Sequence, residues 1–263
     1  MTAATQPGIY RWGPEQPAPT VVLLHSSQSA SSQWRALVQQ LANDYQVIAV
    51  DLLGYGQAPQ PQSRVRFRLA DEIPRVAEAV AQFAGEQPVI LVGHSYGGAL
   101  ALKIAKEQPF AVAKVAVYEP VAFHVLPTDS PGLEEILAIS EAMRGRSAED
   151  CTRTFVDYWN ASGYFDALPS KIQQLMIAQA EKVSLDFDAL LNEPAALEDY
   201  AAVQQPLLLL RGAATRRSAK AVAAALETVL PNYTEKMVEA GHMGPLTHPA
   251  EVNHWLSEFI AAA

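Results

Sequence analysis

Residues 88–98 combine a short apolar run, a glycine-rich turn and the start of a helical pattern. The four apolar residues at 89–92 are typical of a buried strand, and the following stretch has apolar residues at helical spacing. Gly93 and Gly97 lack the Cβ atoms that would collide in a sharp turn. The pattern therefore predicts a strand-turn-helix unit that exposes the hydroxyl of Ser95 above a sheet edge, beside the N–H groups of a helix start.

Strand and helix patterns alternate on both sides of this unit. Such alternation predicts an α/β fold in which helices cover both faces of a mostly parallel sheet. The predicted strands are 9–12, 21–24, 45–50, 89–92, 115–118, 207–210 and 233–238, and the predicted helices outside the middle of the chain are 32–41, 69–84 and 250–261.

The alternation stops in the middle of the chain, at residues 121–204. We expect this segment to be an all-helical insertion, and residues 1–120 and 205–263 to form one α/β core around it. Its predicted helices are 132–143, 148–160, 170–182 and 186–203.

The composition limits the partners more than it limits the fold. Of 263 residues, 49% are hydrophobic, and the formal net charge is −9 at pH 7. This charge disfavours nucleic acid or an anionic membrane as a partner, and no apolar run reaches the length of a membrane span. The opening residues lack the pattern of a secretory signal, and Cys151 is the single cysteine. We therefore expect a cytoplasmic protein with no intramolecular disulfide and an inert thiol at position 151.

The run Gly-His-Ser-Tyr-Gly at 93–97 matches the Gly-x-Ser-x-Gly nucleophile elbow. With the alternating elements around it, the chain resembles the α/β-hydrolase superfamily along nearly its whole length. The resemblance implies a mostly parallel central sheet flanked by helices, with a helical cap inserted between two core strands. It also implies a serine hydrolase in which Ser95 is the nucleophile, with no metal and no cofactor.

The resemblance places the catalytic base in a Gly-His loop after the last strand. His242 stands there, between Gly241 and Gly244. The other histidines near the expected site or the last helix are read as structural or surface residues. They are His25, His94, His248 and His254.

The acid departs from the commonest pattern of the superfamily. Thr215 occupies the place where most members carry an aspartate, and no aspartate occurs from residue 205 to 263. Glu119 directly follows the strand after the elbow helix, and haloalkane dehalogenases include members whose acid lies after this strand. Because the two strands are neighbours, we expect Glu119 to be the triad acid. Glu239, just before the His242 loop, is the weaker alternative, since we expect it to lie still on the last strand.

His25-Ser26-Ser27 follows an apolar strand, where relatives carry a His-Gly-x loop. By that resemblance the backbone N–H groups of Ser27 and Tyr96 form the oxyanion hole. Part of the serine-rich segment is expected to cap the following helix. The residues expected to touch substrate are Ser26, His124, Trp159 and Met243, together with two or three of the aromatic residues of segment 121–204.

The resulting functional hypothesis is hydrolysis of a small carboxylic ester (EC 3.1.1 class) through a Ser-His-Glu triad and an acyl-enzyme. We expect a small-molecule substrate as a partner and neither nucleic acid nor membrane, and the sequence leaves the oligomeric state open. A serine at position 95 argues against dehalogenase or epoxide hydrolase chemistry, for which relatives use an aspartate. C–C bond hydrolysis, lactone opening and perhydrolysis remain alternatives with the same triad. A non-catalytic ligand-binding relative, suggested by Thr215, is the alternative of another class.

Overall fold

A seven-stranded sheet forms the centre of the computed structural model, which describes residues 6–63 and 65–262. The expectation that the opening residues form no secretory signal falls partly on residues 1–5, which lie outside the described residues. The strands are β1 (Ile9–Trp12), β2 (Thr20–Leu24), β3 (Gln46–Val50), β4 (Val89–His94), β5 (Val112–Tyr118), β6 (Leu207–Gly212) and β7 (Tyr233–Val238). All six pairings of neighbouring strands are parallel except that of β1 with β3, as the alternating pattern predicts.

The strand order is β1-β3-β2-β4-β5-β6-β7. The chain leaves β2 toward β3 on one side and leaves β4 toward β5 on the other, so the order reverses between β2 and β4. In open α/β sheets the crevice at the carboxyl ends of such strands is the usual ligand site. The loop after β2 and the elbow after β4 therefore meet at this crevice.

Helices cover both faces of the sheet and complete two apolar layers. Side chains of the helices at 35–41 and 249–261 pack on one face, and those of the helices at 73–83, 96–107 and 217–227 pack on the other. The four central strands β2 to β5 are almost entirely buried, which explains their continuous apolar runs. The helices outside the middle of the chain are α1 (Arg35–Leu41), α2 (Ile73–Phe83), α3 (Tyr96–Glu107), α9 (Arg217–Glu227), α10 (Gly244–Thr247) and α11 (Pro249–Ala261).

Between β5 and β6 the structure is helical, and residues 121–204 are called the cap segment below. Its helices are α4 (Pro131–Met143), α5 (Ala148–Trp159), α6 (Tyr164–Ala167), α7 (Ser170–Ile177) and α8 (Ala180–Leu191), followed by a 3₁₀ turn at Leu197–Ala202. The predicted helices 170–182 and 186–203 are wrong in their bounds. The break lies at Ala178 and Gln179, so that Lys182 and Asp186 share one helix. Among residues 6–63 and 65–262, none of the helices combines the length and the apolarity that a membrane span needs.

Candidate active site

The Gly-x-Ser-x-Gly stretch forms the turn between β4 and α3. Ser95 has φ 56° and ψ −117°, a left-handed conformation that costs a non-glycine residue about 1–3 kcal/mol. A Cβ at Gly93 would lie 2.3 Å from the carbonyl oxygen of Gly97, and one at Gly97 would lie 2.4 Å from that of Leu24. Only glycine fits these two positions, and the Ser95 N–H donates to the Tyr118 carbonyl at 3.0 Å. The turn therefore holds the serine above the sheet edge, at the N-terminus of α3.

The imidazole of His242 lies between the Ser95 hydroxyl and the Glu119 carboxylate. Nε2 is 2.9 Å from Ser95 Oγ, and Nδ1 is 2.7 Å from Glu119 Oε2. A carboxylate only accepts hydrogen bonds, so Nδ1 carries the proton and Nε2 accepts the hydroxyl hydrogen of Ser95. The exposed fractions of Ser95, His242 and Glu119 are 6%, 3% and 1%. The structure thus brings the three predicted residues into one buried line of hydrogen bonds, which can draw a proton from the hydroxyl.

Glu119 reaches the ring from the end of β5, with a left-handed backbone φ of 44°. Its Oε1 accepts the Gly212 N–H at 2.7 Å, and its Oε2 accepts the Thr215 hydroxyl at 2.5 Å as well as His242 Nδ1. Thr215, at the position where the resemblance leads us to expect an aspartate, therefore contributes a hydroxyl to the carboxylate from the neighbouring strand. Glu239 is exposed, beyond the end of β7.

Two side chains hold the backbone of the loop that carries His242. The Tyr118 hydroxyl donates to the Gly241 carbonyl at 2.7 Å, and His94 Nε2 donates to the His242 carbonyl at 2.9 Å. Both donors come from the carboxyl ends of β4 and β5. The loop is therefore tied to the same sheet edge that carries Ser95 and Glu119.

The predicted oxyanion residues lie on the two sides of the crevice. Tyr96 is the first residue of α3, and Ser27 follows β2 and lines the same cavity as Ser95. Within the part of the chain that the structure describes, the hydrogen bonds leave the backbone N–H of Ser27 and that of Tyr96 without an acceptor. Ser26 is buried, and its N–H and hydroxyl both donate to Gln33 Oε1 at 3.2 and 2.9 Å. This contact anchors the loop to the helical turn that follows it.

A cavity of about 180 Å³ opens over the Ser95 hydroxyl, between the core and the cap segment. It is smaller than the usual small-molecule pocket of roughly 300–1,000 Å³. No Asp, Glu, Lys or Arg occurs among the described residues that line it. The lining residues are Ser26, Ser27, Gln28, Ser29, Ser95, Phe155, Val156, Trp159, Asn160, Tyr164, Leu168, Ile172, Met176, His242, Met243, Leu246 and Thr247.

Trp159 of the cap segment stacks on the imidazole of His242. The ring centroids are 3.7 Å apart and the planes are inclined by 26°. Of the aromatic residues of the cap segment, Trp159, Phe155 and Tyr164 line the cavity, as does Met243. The indole thus covers one face of the ring and keeps water from it.

The four histidines that the sequence leads us to read as structural or surface residues lie in surroundings different from those of His242. His25 Nδ1 donates to the Ser26 carbonyl and its Nε2 accepts the Leu52 N–H, while burial lowers its pKa to about 4. Burial also holds the pKa of His94 well below its ordinary value. His248 and His254 are exposed, next to Thr247 and Glu258 respectively. His242 is the histidine whose ring meets the Ser95 hydroxyl.

The expected substrate contact of His124 is not found. Its Nδ1 donates to the Leu190 carbonyl and its Nε2 accepts the Tyr200 hydroxyl, so both ring nitrogens are used in contacts within the cap segment. Cys151 is buried in α5, its thiol donates to the Met143 carbonyl, and burial raises its pKa. Over residues 6–63 and 65–262, no three His, Cys, Asp or Glu side chains are grouped as metal ligands.

Sequence reasoning missed a buried ion cluster formed by Glu72, Lys182 and Asp186. Lys182 and Asp186 pair four residues apart on α8, and Lys182 Nζ also lies 3.3 Å from Glu72 Oε1. A lysine and an aspartate at that spacing are a recognisable helical pair. The wrong helix bounds concealed this signal, because they assigned the two residues to different helices.

The curated relatives match only part of this chain. A haloalkane dehalogenase of Agrobacterium fabrum is 32% identical over 109 residues, which is 41% of this chain and 35% of that protein. The lipase LipV of Mycobacterium tuberculosis is 31% identical over 112 residues, which is 43% of this chain and 41% of that protein. The matched stretch thus spans less than half the length of either relative.

Solved structures match nearly the whole chain. The enol-lactonase of Burkholderia xenovorans superposes with a TM-score of 0.76 at 16% identity, covering 97% of this chain and 96% of that chain. A thermophilic esterase of Thermogutta terrifontis superposes with a TM-score of 0.75 at 20% identity, covering 97% and 92%. At these identities the likeness shows the fold alone.

The model of the alpha/beta hydrolase family matches residues 21–255. This match runs from β2 through the cap segment into α11 and includes every residue of the Ser95, His242 and Glu119 hydrogen-bond line. The chain therefore belongs to the alpha/beta hydrolase family.

Proposed function

We propose that this chain hydrolyses small, uncharged carboxylic esters through a Ser95-bound acyl-enzyme. One observation carries the proposal: His242 Nε2 accepts the Ser95 hydroxyl while Nδ1 donates to Glu119, at the floor of a small cavity without charged walls. An activated hydroxyl and an oriented base are what acyl transfer requires.

In the proposed mechanism, Ser95 Oγ attacks the ester carbonyl and His242 Nε2 takes the hydroxyl proton. The carbonyl oxygen becomes an oxyanion, which accepts hydrogen bonds from the N–H groups of Ser27 and Tyr96. As the tetrahedral intermediate collapses, the C–O bond to the alcohol breaks and His242 returns the proton to the leaving oxygen. Glu119 holds the ring and stabilises its positive charge. Water, deprotonated by the same nitrogen, then releases the acid and restores Ser95.

The chemistry of serine separates this proposal from dehalogenation and epoxide opening. If the Ser95 oxygen displaced a halide from carbon or opened an epoxide, the product would be a dialkyl ether. Such an ether has no carbonyl for water to attack, so the enzyme would stop after one turnover. A serine ester does have such a carbonyl, and it is hydrolysed by reversal of the acylation steps.

The cavity supports an uncharged substrate of modest size. With no lysine or arginine among its described lining residues, a carboxylate or phosphate on the substrate would be desolvated without a cationic partner, which is costly. The apolar wall formed by Phe155, Val156 and Trp159 instead favours a short alkyl or aryl acyl group.

Turnover of p-nitrophenyl acetate, butyrate and octanoate, with Ser95→Ala as the control, tests the proposal. We expect the shorter esters to be hydrolysed with the higher kcat/KM, and we expect mass spectrometry to detect an acylated Ser95 peptide after a rapid acid quench. Absence of turnover with all three esters, together with no fluorophosphonate labelling of Ser95, would support the ligand-binding alternative instead. Turnover of lactones, vinylogous diketones or hydrogen peroxide plus acid, in preference to esters, would favour the other chemistries.

A further inference from the structure

The buried ion cluster of Glu72, Lys182 and Asp186 connects the cap segment to the core. Glu72 lies just before α2, and Lys182 and Asp186 lie on α8. All three are almost fully buried, and Lys182 Nζ also lies 4.5–4.7 Å from the ring centroids of Tyr55, Phe67 and Tyr96. One cation thus meets two carboxylates and three aromatic faces, which makes this a defined contact between the two parts of the chain.

Both residues expected to form the oxyanion hole send their hydroxyls into this cluster. The Ser27 hydroxyl donates to Asp186 Oδ2 at 2.6 Å, and the Tyr96 hydroxyl donates to Glu72 Oε1 at 3.1 Å. Their backbone N–H groups, in contrast, have no acceptor within the part of the chain that the structure describes. Each residue is therefore held by its side chain while its N–H stays available to a ligand oxygen.

The N–H groups of Tyr96 and Ser27 differ in how much their orientation depends on these side-chain hydrogen bonds. Tyr96 is the first residue of a twelve-residue helix, whose own hydrogen bonds fix the direction of its N–H. Ser27 lies in a loop, next to Gln28 with its left-handed φ of 52°. This loop is tied to the cap segment twice, because Gln28 Nε2 also donates to the Met176 carbonyl at 3.0 Å.

We propose that Asp186 is a positioning residue, which aims the Ser27 N–H at the substrate oxygen by holding the Ser27 hydroxyl. This inference rests on the proposed function. In this arrangement, seating of α8 against the core completes the oxyanion hole. The cap segment thereby contributes to the electrostatics of the transition state as well as to the shape of the cavity.

The chain offers a matched pair of variants for the test. The Tyr55 hydroxyl donates to the same Asp186 Oδ2 at 2.5 Å, but Tyr55 contributes no oxyanion N–H. Ser27→Ala and Tyr55→Phe each remove one donor from that oxygen and leave the other in place. A purely structural role of the cluster predicts equal effects on activity, whereas positioning predicts an effect confined to Ser27→Ala.

With p-nitrophenyl acetate we expect Ser27→Ala to lower kcat about tenfold with little change in KM, and Tyr55→Phe to change kcat less than about twofold. An aryl trifluoromethyl ketone, which forms an anionic hemiketal with Ser95, should bind about tenfold more weakly to Ser27→Ala only. The matching methyl ketone should bind all forms alike. Asp186→Asn, which keeps an acceptor oxygen, should retain more activity than Asp186→Ala at equal Tm.

Equal loss of kcat and of trifluoromethyl ketone affinity in Ser27→Ala and Tyr55→Phe would overturn the inference. So would an unchanged Ser27→Ala. Either outcome leaves the proposed function standing, because the wild-type enzyme is still active in both. An inactive wild type without labelling of Ser95 would instead contradict the proposed function. Circular dichroism of each variant shows whether a loss of activity comes from misfolding.

Discussion

Thr215 donates its hydroxyl hydrogen to Oε2 of Glu119 at 2.5 Å, on the same oxygen that accepts His242 Nδ1. The two residues come from the ends of the adjacent parallel strands β6 and β5. The two ends are close enough that a hydroxyl from one donates to a carboxylate from the other, and the same carboxylate oxygen accepts from the imidazole. The carboxylate thus comes from the end of β5, one strand away from the position of Thr215, where the resemblance leads us to expect an aspartate.

Thr215→Val removes this hydroxyl while keeping the volume of the side chain. Glu119 Oε2 then accepts only from His242, and its orientation is less restricted. We expect kcat/KM for a p-nitrophenyl ester to fall about tenfold, the effect of a hydrogen bond to a charged group. Thr215→Ser, which keeps the hydroxyl, is the control and should stay close to wild type. A Thr215→Val enzyme as active as the control would show that the contact does not matter for the reaction.

Glu119→Gln tests the acid itself. The amide carries no negative charge, so it stabilises the imidazolium poorly, and we expect kcat to fall by about 10³–10⁴-fold with little change in KM. Adding Thr215→Asp to this variant returns a carboxylate to the neighbouring strand end, and should recover at least about tenfold of the loss. In the wild-type background the same aspartate faces Glu119, and like-charge repulsion should lower the Tm instead. Near wild-type turnover by Glu119→Gln would exclude Glu119 as the acid.

Trp159→Ala removes the ring that stacks on His242 at 3.7 Å. The change opens the cavity beside the base and admits water, so we expect kcat/KM for the acetate ester to fall about tenfold. The enlarged space should raise the ratio of octanoate to acetate turnover. Trp159→Phe keeps an aromatic face and should retain both the rate and the preference for the shorter ester. An unchanged chain-length preference in Trp159→Ala would mean that the indole does not limit the acyl group.

The lowered pKa of His25 leads us to expect that the free energy of unfolding decreases in acid. Burial lowers its pKa from 6.5 to about 4, so between these pH values the unfolded chain binds the proton and the folded chain does not. The contribution is fully present above pH 6.5 and is lost as the pH falls toward 4. At pH 5 the unfolding free energy should be about 2 kcal/mol lower from this residue alone. His94, with its lowered pKa, adds in the same direction.

Urea unfolding of the wild type and of His25→Gln at pH 7.5 and pH 5.0 measures this contribution. Glutamine does not titrate, so the decrease in unfolding free energy between the two pH values should be smaller in the variant. Carboxylates titrate in both proteins, so their contribution cancels when the decrease in unfolding free energy of the variant is subtracted from that of the wild type. The same decrease in both proteins would show that His25 does not carry the acid sensitivity.

The order of the strands along the chain made most of the site predictable. In a parallel sheet the carboxyl ends share one edge, so residues that directly follow apolar runs meet there even when far apart in sequence. Ser95, Glu119 and the His242 loop each follow such a run. The local signals were strong because glycines at fixed positions are required for the turn at Ser95.

Contacts that depend on how helices pack were not predictable. We expected His124 to contact substrate because it is close to Glu119 in the sequence. In the structure both of its ring nitrogens bind elsewhere, one to the Leu190 carbonyl and one to the Tyr200 hydroxyl. The partnership of Ser27 with Asp186 spans 159 residues and depends on the seating of α8 against the core. No short-range pattern in the sequence indicates a contact between residues so far apart along the chain.

By itself, the sequence determined the fold class, the strand-turn-helix unit around Ser95, and the chain order of serine, glutamate and histidine at one sheet edge. The first two follow from apolar periodicity and from the steric demands of a few glycines, which act over a handful of residues, whereas Glu119 and His242 were assigned through the resemblance to the superfamily. Only the tertiary structure decided that Thr215 serves Glu119, that Trp159 covers His242, and that the cap segment holds the Ser27 loop. Those relationships arise from side chains that meet only after burial, where each polar group must find a partner regardless of its distance along the chain.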